Sequence, residues 1–194
     1  VSKRRRWHRL PPATVVDLDG LADAVDPGKL TAGQFVQLME VLHMLGDAGT
    51  GVELSGMRTE TFLRFLGRAS RDQLDELTAH LELRPVVFDE LFRRMADHLS
   101  LERAGGIRAV IHWRFTGRDG EDRFETVISG GRCTTGPEPT ADPRVTITID
   151  PVDFLRALTG AATLPMLFLS GRVKVKGDIA FASGLISYFD LPDL

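Results

Sequence analysis

The spacing of apolar side chains changes near Gly106, from a helical period to that of strands. From residue 31 to residue 104 the spacing has the three-to-four-residue period of helices. Thr31 stands as an N-cap before Phe35, Leu38, Met39, Leu42 and Leu45, with Gly46 just past the helix end. The glycine-rich residues 46–56 read as a loop, and Thr59 as the cap of a second helix carrying Phe62, Leu63, Phe65 and Leu66. Ser70 and Gln73 have capping-box spacing and open a third helix with Leu74, Leu77 and Leu81, which Pro85 closes. Phe88, Leu91, Phe92, Met95 and Leu99 form the stripe of a fourth, ended by Gly105 and Gly106.

Beyond Gly106 the period is two. Ile107, Ala109, Ile111, Trp113 and Phe115 alternate with Arg108, Val110, His112, Arg114 and Thr116. A turn at 117–122 and a return strand with Phe124 and Ile128 inward complete a hairpin. A short strand around Cys133 follows the Gly130–Gly131 turn. After a proline-rich loop at 136–143, Val145, Ile147 and Ile149 alternate with threonines and Arg144. Asp150 and Pro151 open a helix bearing Phe154, Leu155 and Leu158, which Gly160 stops. Val173 and Val175 mark a last strand, and 179–189 a closing helix with Ala182, Leu185, Ile186 and Phe189 on one side. Strands with one apolar face need helices over that face, so the second half predicts a two-layer α+β sandwich behind a helical extension.

Composition adds exclusions. The chain has 194 residues, 43% hydrophobic and 26% charged, which is globular. Cys133 is the single cysteine, excluding a disulfide framework or a cysteine-cluster metal site. Apolar runs fall short of a membrane span and no signal-peptide pattern appears, so a cytoplasmic setting is expected. The net charge of −3 is unevenly spread: residues 1–10 carry +5 and residues 11–60 carry −6. Residues 1–12 read as a flexible basic tail. Lys3, Arg4, Arg5 and Arg6 suit a transient contact with an anionic lipid surface, each adding about 1 kcal/mol there.

The candidate chemistry is sparse. Asp17 and Asp19 have the spacing of an aspartate-nucleophile phosphatase motif, but the chain lacks a downstream Asp pair and a βαβ pattern, so an acidic linker is the reading. The glycines at 46–51 follow a helix rather than a strand, against a nucleotide loop. His8, His43, His80, His98 and His112 show no metal-ligand spacing, and no metal site is expected. Arg108, Arg114, Arg172, Lys174 and Lys176 lack interleaved aromatics, so no nucleic-acid partner is expected. What remains is an apolar excess, densest at Leu164–Leu169 and in the closing helix: a packed core or a ligand cavity.

Several segments decide between these. They are the helix Val87–Leu99, Gly105-Gly106-Ile107, and Thr146-Ile147-Thr148-Ile149 with Asp153-Phe154-Leu155 and Thr159-Gly160. The most specific is Phe168-Leu169-Ser170-Gly171-Arg172-Val173-Lys174-Val175-Lys176-Gly177-Asp178. In order and spacing, residues 86–192 resemble the sterol carrier protein type 2 family. The resemblance implies a five-stranded, mostly antiparallel sheet with helices over one face and an apolar tunnel between. It implies binding and transfer of a sterol, fatty acid or fatty acyl-CoA without a cofactor. By position, the tunnel-lining candidates are Ile111, Trp113, Phe154, Leu158, Met166, Phe168, Leu185, Ile186 and Phe189. The chain departs from the family's transfer proteins in two ways. Its 86–103 helix is nearly balanced in charge, and it ends at Leu194 without a peroxisomal Ser-Lys-Leu.

Residues 13–84 lie outside the resemblance. Such leaders resemble those of actinobacterial members of the family, and the sequence leaves the role of residues 13–84 open between a cover, a dimer surface and a partner-docking unit. The resulting division is 1–12, 13–84 and 85–194. A non-catalytic binding module is the first functional reading, with no catalytic residue assigned. The alternative is a cyclase- or isomerase-type enzyme working on a hydrophobic metabolite in the same pocket, for which Tyr188 and Cys133 are the acid–base candidates.

Overall fold

The computed structural model describes residues 16–117, 120–137 and 139–194. The basic tail and the tip of the first hairpin lie outside the described residues.

Five helices lead the chain: α1 (Leu18–Ala24), α2 (Ala32–Asp47), α3 (Thr59–Gly67), α4 (Arg71–Ala79) and α5 (Leu83–Asp97). Capping boxes start two of them where expected, Thr31 with Gln34 and Ser70 with Gln73. The remaining differences have local causes. The Asp17–Gly20 segment is no linker but the start of α1, where the Asp17 carboxylate accepts from the Gly20 N–H at 3.0 Å. Asp19 accepts from the Arg58 N–H at 3.1 Å and pairs with the Arg58 side chain, fastening α1 to the head of α3. Gly46 lies inside α2, and the chain reverses instead at Gly49, whose φ of 68° suits glycine. Arg58 rather than Thr59 is the N-cap of α3. The third helix stops at Ala79 because His80 turns extended, which leaves Leu81 outside and 67% exposed. Pro85 opens α5 rather than closing α4: it sits in the first turn, where a backbone N–H has no intrahelical acceptor to lose.

A short α6 (Leu101–Ala104) leads into the sheet. Its strands are β1 (Ala109–Gly117), β2 (Gly120–Ser129), β3 (Arg132–Gly136), β4 (Val145–Ile149) and β5 (Val173–Gly177), in spatial order β3-β2-β1-β4-β5. All pairs are antiparallel except β1 with β4, which is parallel. That parallel pair needs a long crossover, which the hairpin and the 137–144 loop supply. Three more helices follow: α7 (Pro151–Leu158), α8 (Leu164–Leu169) and α9 (Ile179–Ser183). α8, inside the run read only as apolar-rich, is capped by the Thr163 hydroxyl. The single closing helix expected at 179–189 is two pieces, α9 and a 3-10 turn at Leu185–Tyr188, broken at Gly184.

Ile111, Trp113 and Phe115 of β1, Ile128 of β2 and Val145, Ile147 and Ile149 of β4 all point to the helical layer and are buried. α5, α7, α8 and α9 cover that face. The leader helices pack on the outside of this layer, α2 and α4 against α5, and α3 and α4 against α7. One continuous apolar core therefore runs from Leu18 to Phe189. A buried guanidinium crosses it. Arg94 of α5 donates to Glu90 at 2.6 Å, to the Thr59 hydroxyl at 3.0 Å, and to the carbonyls of Leu54 and Met57 at 2.9 and 2.7 Å.

Candidate functional site

The nine nominated residues separate into a packed group and a surface group. Ile111, Trp113, Phe154, Leu158, Leu185 and Phe189 are buried. Ile186 is half-buried against the same core. Trp113 and Phe154 belong to a six-ring cluster with Phe88, Phe92, Phe115 and Phe124, with centroids 4.5–6.5 Å apart. These rings fill the middle of the layer between α5, α7 and β1. Trp113 also donates its indole N–H to the Thr126 hydroxyl at 3.0 Å, which locks its ring. Met166 and Phe168 are on α8 and exposed, Met166 at 65%.

Open space lies beside the cluster, not within it. A cavity of about 190 Å³ sits between α8, α9 and the β4–β5 pair. Ile147, Phe168, Val173, Val175, Ile179 and Ala182 form most of its wall. The Ser183 hydroxyl, the only polar side-chain group lining it, is turned to its own helix and donates to the Ala180 carbonyl at 2.8 Å. Of the nominated residues, Phe168 lines this cavity. Leu164, Leu169, Val173, Val175 and Ile179 also line it without having been nominated. Their signal was present: inward positions of β5 and the apolar run at 164–169.

Larger hollows elsewhere have charged residues in their walls, among them one of about 320 Å³ bordered by Asp75, Arg84 and Asp150. One of about 450 Å³ between α2 and α5 is bordered by His43, Asp47, Glu53, Asp89, Glu90 and Arg93. One of about 560 Å³ between α5 and β3 is bordered by Asp89, Arg93, Cys133 and Thr134. Charged side chains dominate the hollow between α2 and α5, whereas that between α5 and β3 sets Asp89 and Arg93 beside apolar Pro85, Phe92, Ala96, Phe124 and Pro137. Cys133 lies in the second, and burial pushes its thiol up to about 11, so it stays protonated near neutrality. Tyr188 is stacked on Phe181 at 5.5 Å and does not line the apolar cavity. Neither acid–base candidate faces the apolar cavity.

The opposite face of the sheet holds a polar knot. Glu125 of β2 is buried there, accepting from His112 Nε2 at 3.0 Å, the Thr140 hydroxyl and N–H, and the Ala141 N–H. Burial alone would raise its pKa, but these donors outweigh it and hold the carboxyl at about 2. The knot fastens the crossover loop to the sheet at Thr140 and Ala141, just before β4 begins at Val145. Among the described residues no group of histidines, cysteines and carboxylates could hold a metal ion, and no helix is long and apolar enough to cross a membrane.

The profile of the SCP-2 sterol transfer family matches residues 88–190, from the α5 stripe to the residue after Phe189. The chain belongs to this family. The family segment takes in the whole sheet, the aromatic cluster and the apolar cavity, and leaves out α1 to α4. A 94-residue stretch is 33% identical to hydroxysteroid dehydrogenase-like protein 2 of Rattus norvegicus and 30% identical to the Homo sapiens protein of that name. That stretch is 48% of this chain but 18% of the rat protein and 22% of the human one. Most of each relative therefore lies outside the likeness. Among solved structures, apo sterol carrier protein 2 from Yarrowia lipolytica is similar over 57% of this chain and 94% of its own, at 18% identity and a TM-score of 0.45. The sec-alkylsulfatase Pisa1 from Pseudomonas sp. is similar over 96% of this chain and 33% of its own, at 18% identity and a TM-score of 0.47.

Proposed function

We propose that this chain binds one apolar lipid-like chain, of the sterol, fatty acid or fatty acyl-CoA class, in the cavity between α8, α9 and the β4–β5 pair, and passes it on without chemical change. The observation that carries this reading is a cavity walled by side chains with no free polar group, in a chain of this family. Each buried methylene contributes about 0.8 kcal/mol and no polar contact selects among ligands, so binding is broad in specificity. At about 190 Å³ the cavity is below the roughly 300–1,000 Å³ of sites that enclose a drug-sized ligand. A long chain is thus held along part of its length, or α8 moves outward to admit the rest.

Displacement of a fluorescent fatty acid by unlabelled competitors tests the reading in solution. Ser183→Trp puts an indole at the rim of the cavity from an exposed position. It is expected to weaken binding at least tenfold while leaving the thermal unfolding midpoint within a few degrees. Binding that persists unchanged in this variant moves the ligand elsewhere, and wild-type protein that displaces nothing refutes the reading.

A further inference from the structure

The sheet has two edge strands, β3 and β5, and they are built differently. β5 carries Lys174 and Lys176, exposed charges of the kind that keep an edge from pairing with another chain, and α8 lies beside it. From Cys133 to Pro137 the β3 edge has no charged side chain. Its hydrogen-bonding register is set by the two-residue turn Gly130–Gly131, with φ of 58° and 72°. Such a turn makes Ser129 and Arg132 a hydrogen-bonded pair. Cys133 and Thr135 then fall at positions where N–H and C=O point away from β2. Among the described residues these four backbone groups have no hydrogen-bond partner.

Alongside this edge runs α5, and the groove between them is the hollow of about 560 Å³. That volume is within the roughly 300–1,000 Å³ of sites that enclose a ligand. Phe92, Ala96 and Phe124 give it apolar surface, and the small side chains of Cys133 and Thr135 leave it open. Of its two charged side chains, Arg93 is engaged by Glu90 and Asp97, at 2.6 and 2.7 Å. Asp89 has no ion-pair or hydrogen-bond partner among the described residues, and desolvation that no donor offsets raises its pKa. An extended peptide with a basic side chain matches all of these features: main-chain groups for the free strand edge, side chains for the apolar surface, and a cation for Asp89. An apolar lipid chain would leave the four backbone groups and Asp89 unmatched. A second copy pairing β3 with β3 would satisfy the backbone but bring only the small side chains of Cys133 and Thr135 to fill two grooves.

We propose that the β3–α5 groove takes an extended peptide segment of a partner protein as a sixth strand, with large apolar side chains at alternate positions in the groove and a lysine or arginine beside Asp89. This site is separate from the lipid cavity, which lies at the other edge of the sheet. A phage-displayed library of random decapeptides, selected on the full chain, supplies the probe, and the selected sequence is titrated as a synthetic decapeptide. Binders are expected to alternate apolar residues and to contain lysine or arginine. Bound decapeptide is expected to slow amide exchange at least tenfold at Cys133 and Thr135 and to leave Lys174 and Lys176 unchanged.

Asp89→Lys is expected to weaken binding at least tenfold with the urea midpoint unchanged, and Asp89→Asn to weaken it less. N-methylation of every second peptide residue is expected to abolish binding in one register and to spare it in the other, because only one set of amides faces β3. A library that yields no binder overturns the inference, as do binders that leave exchange at residues 133 and 135 and the response to Asp89→Lys flat. Binding that tolerates N-methylation in both registers rejects strand addition. A dimer in light scattering that protects the same two amides without peptide overturns the inference in favour of a second copy. Fatty acid that displaces the decapeptide from the Ser183→Trp variant, whose apolar cavity is blocked, overturns it in favour of a lipid in this groove.

Discussion

Replacing Arg94 with alanine is expected to destabilise the whole chain by about 3–4 kcal/mol, because this guanidinium is shared between the leader and the family segment. It is 2% exposed and makes four hydrogen bonds, three of them to residues 54–59. It also lies over the Phe62 ring at 4.5 Å. Breaking a buried ion pair by removing one partner typically costs about 3–5 kcal/mol. Here the orphaned charge is partly held: Arg93 also grips Glu90, at 2.6 and 3.1 Å, so the carboxylate is not abandoned. What remains is two buried carbonyls without donors, at about 1–3 kcal/mol each when left bare, plus the lost contact with Phe62 at about 1 kcal/mol. Together these come to about 3–7 kcal/mol, and the retained Arg93–Glu90 pair places the loss in the lower part of that span.

Urea unfolding followed by circular dichroism measures it, as a shift in midpoint at constant slope. For a chain of this size about 3 kcal/mol corresponds to a fall of about 6–12 °C in Tm. Hydrogen exchange supplies the location, since amides at residues 54–59 are expected to lose protection first. Arg94→Lys keeps the charge but one ammonium cannot reach four acceptors in two directions, so it is expected to recover less than half the loss. A variant within 1 kcal/mol of wild type, with unchanged slope, would refute the claim that the guanidinium joins the two regions.

Glu125→Gln is expected to cost stability at neutral pH and to free the loop around Thr140 and Ala141. Because the native carboxyl sits near 2, below its ordinary 4.5, its contribution is present above about pH 4.5 and fades as pH falls toward 2. The gap between wild type and variant, measured by urea unfolding at pH 7, 4 and 2.5, is therefore expected to narrow; a gap that widens toward acid contradicts this. Gln73→Ala removes an amide that donates to the Pro27 and Leu30 carbonyls and accepts from the Ser70 N–H, and is expected to cost about 2–3 kcal/mol in the same assay. Phe154→Ala empties the middle of the aromatic cluster and is expected to cost about 3–5 kcal/mol. If it instead costs under 1 kcal/mol, the rings around it are not packed as the distances indicate.

The sheet was legible because its signal is local. Each strand repeats every second residue, and burial of one face leaves a pattern with no competing reading. The N-cap at Thr31 and the capping box at Ser70 were legible for the same reason: a cap and its partner lie within one turn. The errors arise where a residue's role is set by a distant one. Asp19 looked like linker because its partner, Arg58, is 39 residues away. Thr59 looked like a cap, but its hydroxyl serves Arg94. Pro85 marks a helix boundary in either direction, and only the extended turn at His80 shows that it belongs to the helix after it.

Of the nine nominated residues only Phe168 lines the apolar cavity, for a physical reason that bears on how such a pocket forms. Strand alternation tells which residues face the helices but not whether they meet a ligand or one another. Ile111, Trp113 and Phe154 face inward as expected, and what they meet is other rings. Cavity space appears where large rings give out, beside Val173, Val175 and Ala182, small side chains opposite short helices of five and six residues. Short helices are held mainly by the side chains they bury, and α8 buries only Leu164 and Leu167 while leaving Met166, Phe168 and Leu169 outside. The wall that contains the cavity is therefore held to the core by few side chains. An outward shift of α8 would enlarge the cavity without disturbing the aromatic cluster, so the cavity can admit a longer chain while the core around Phe154 stays packed.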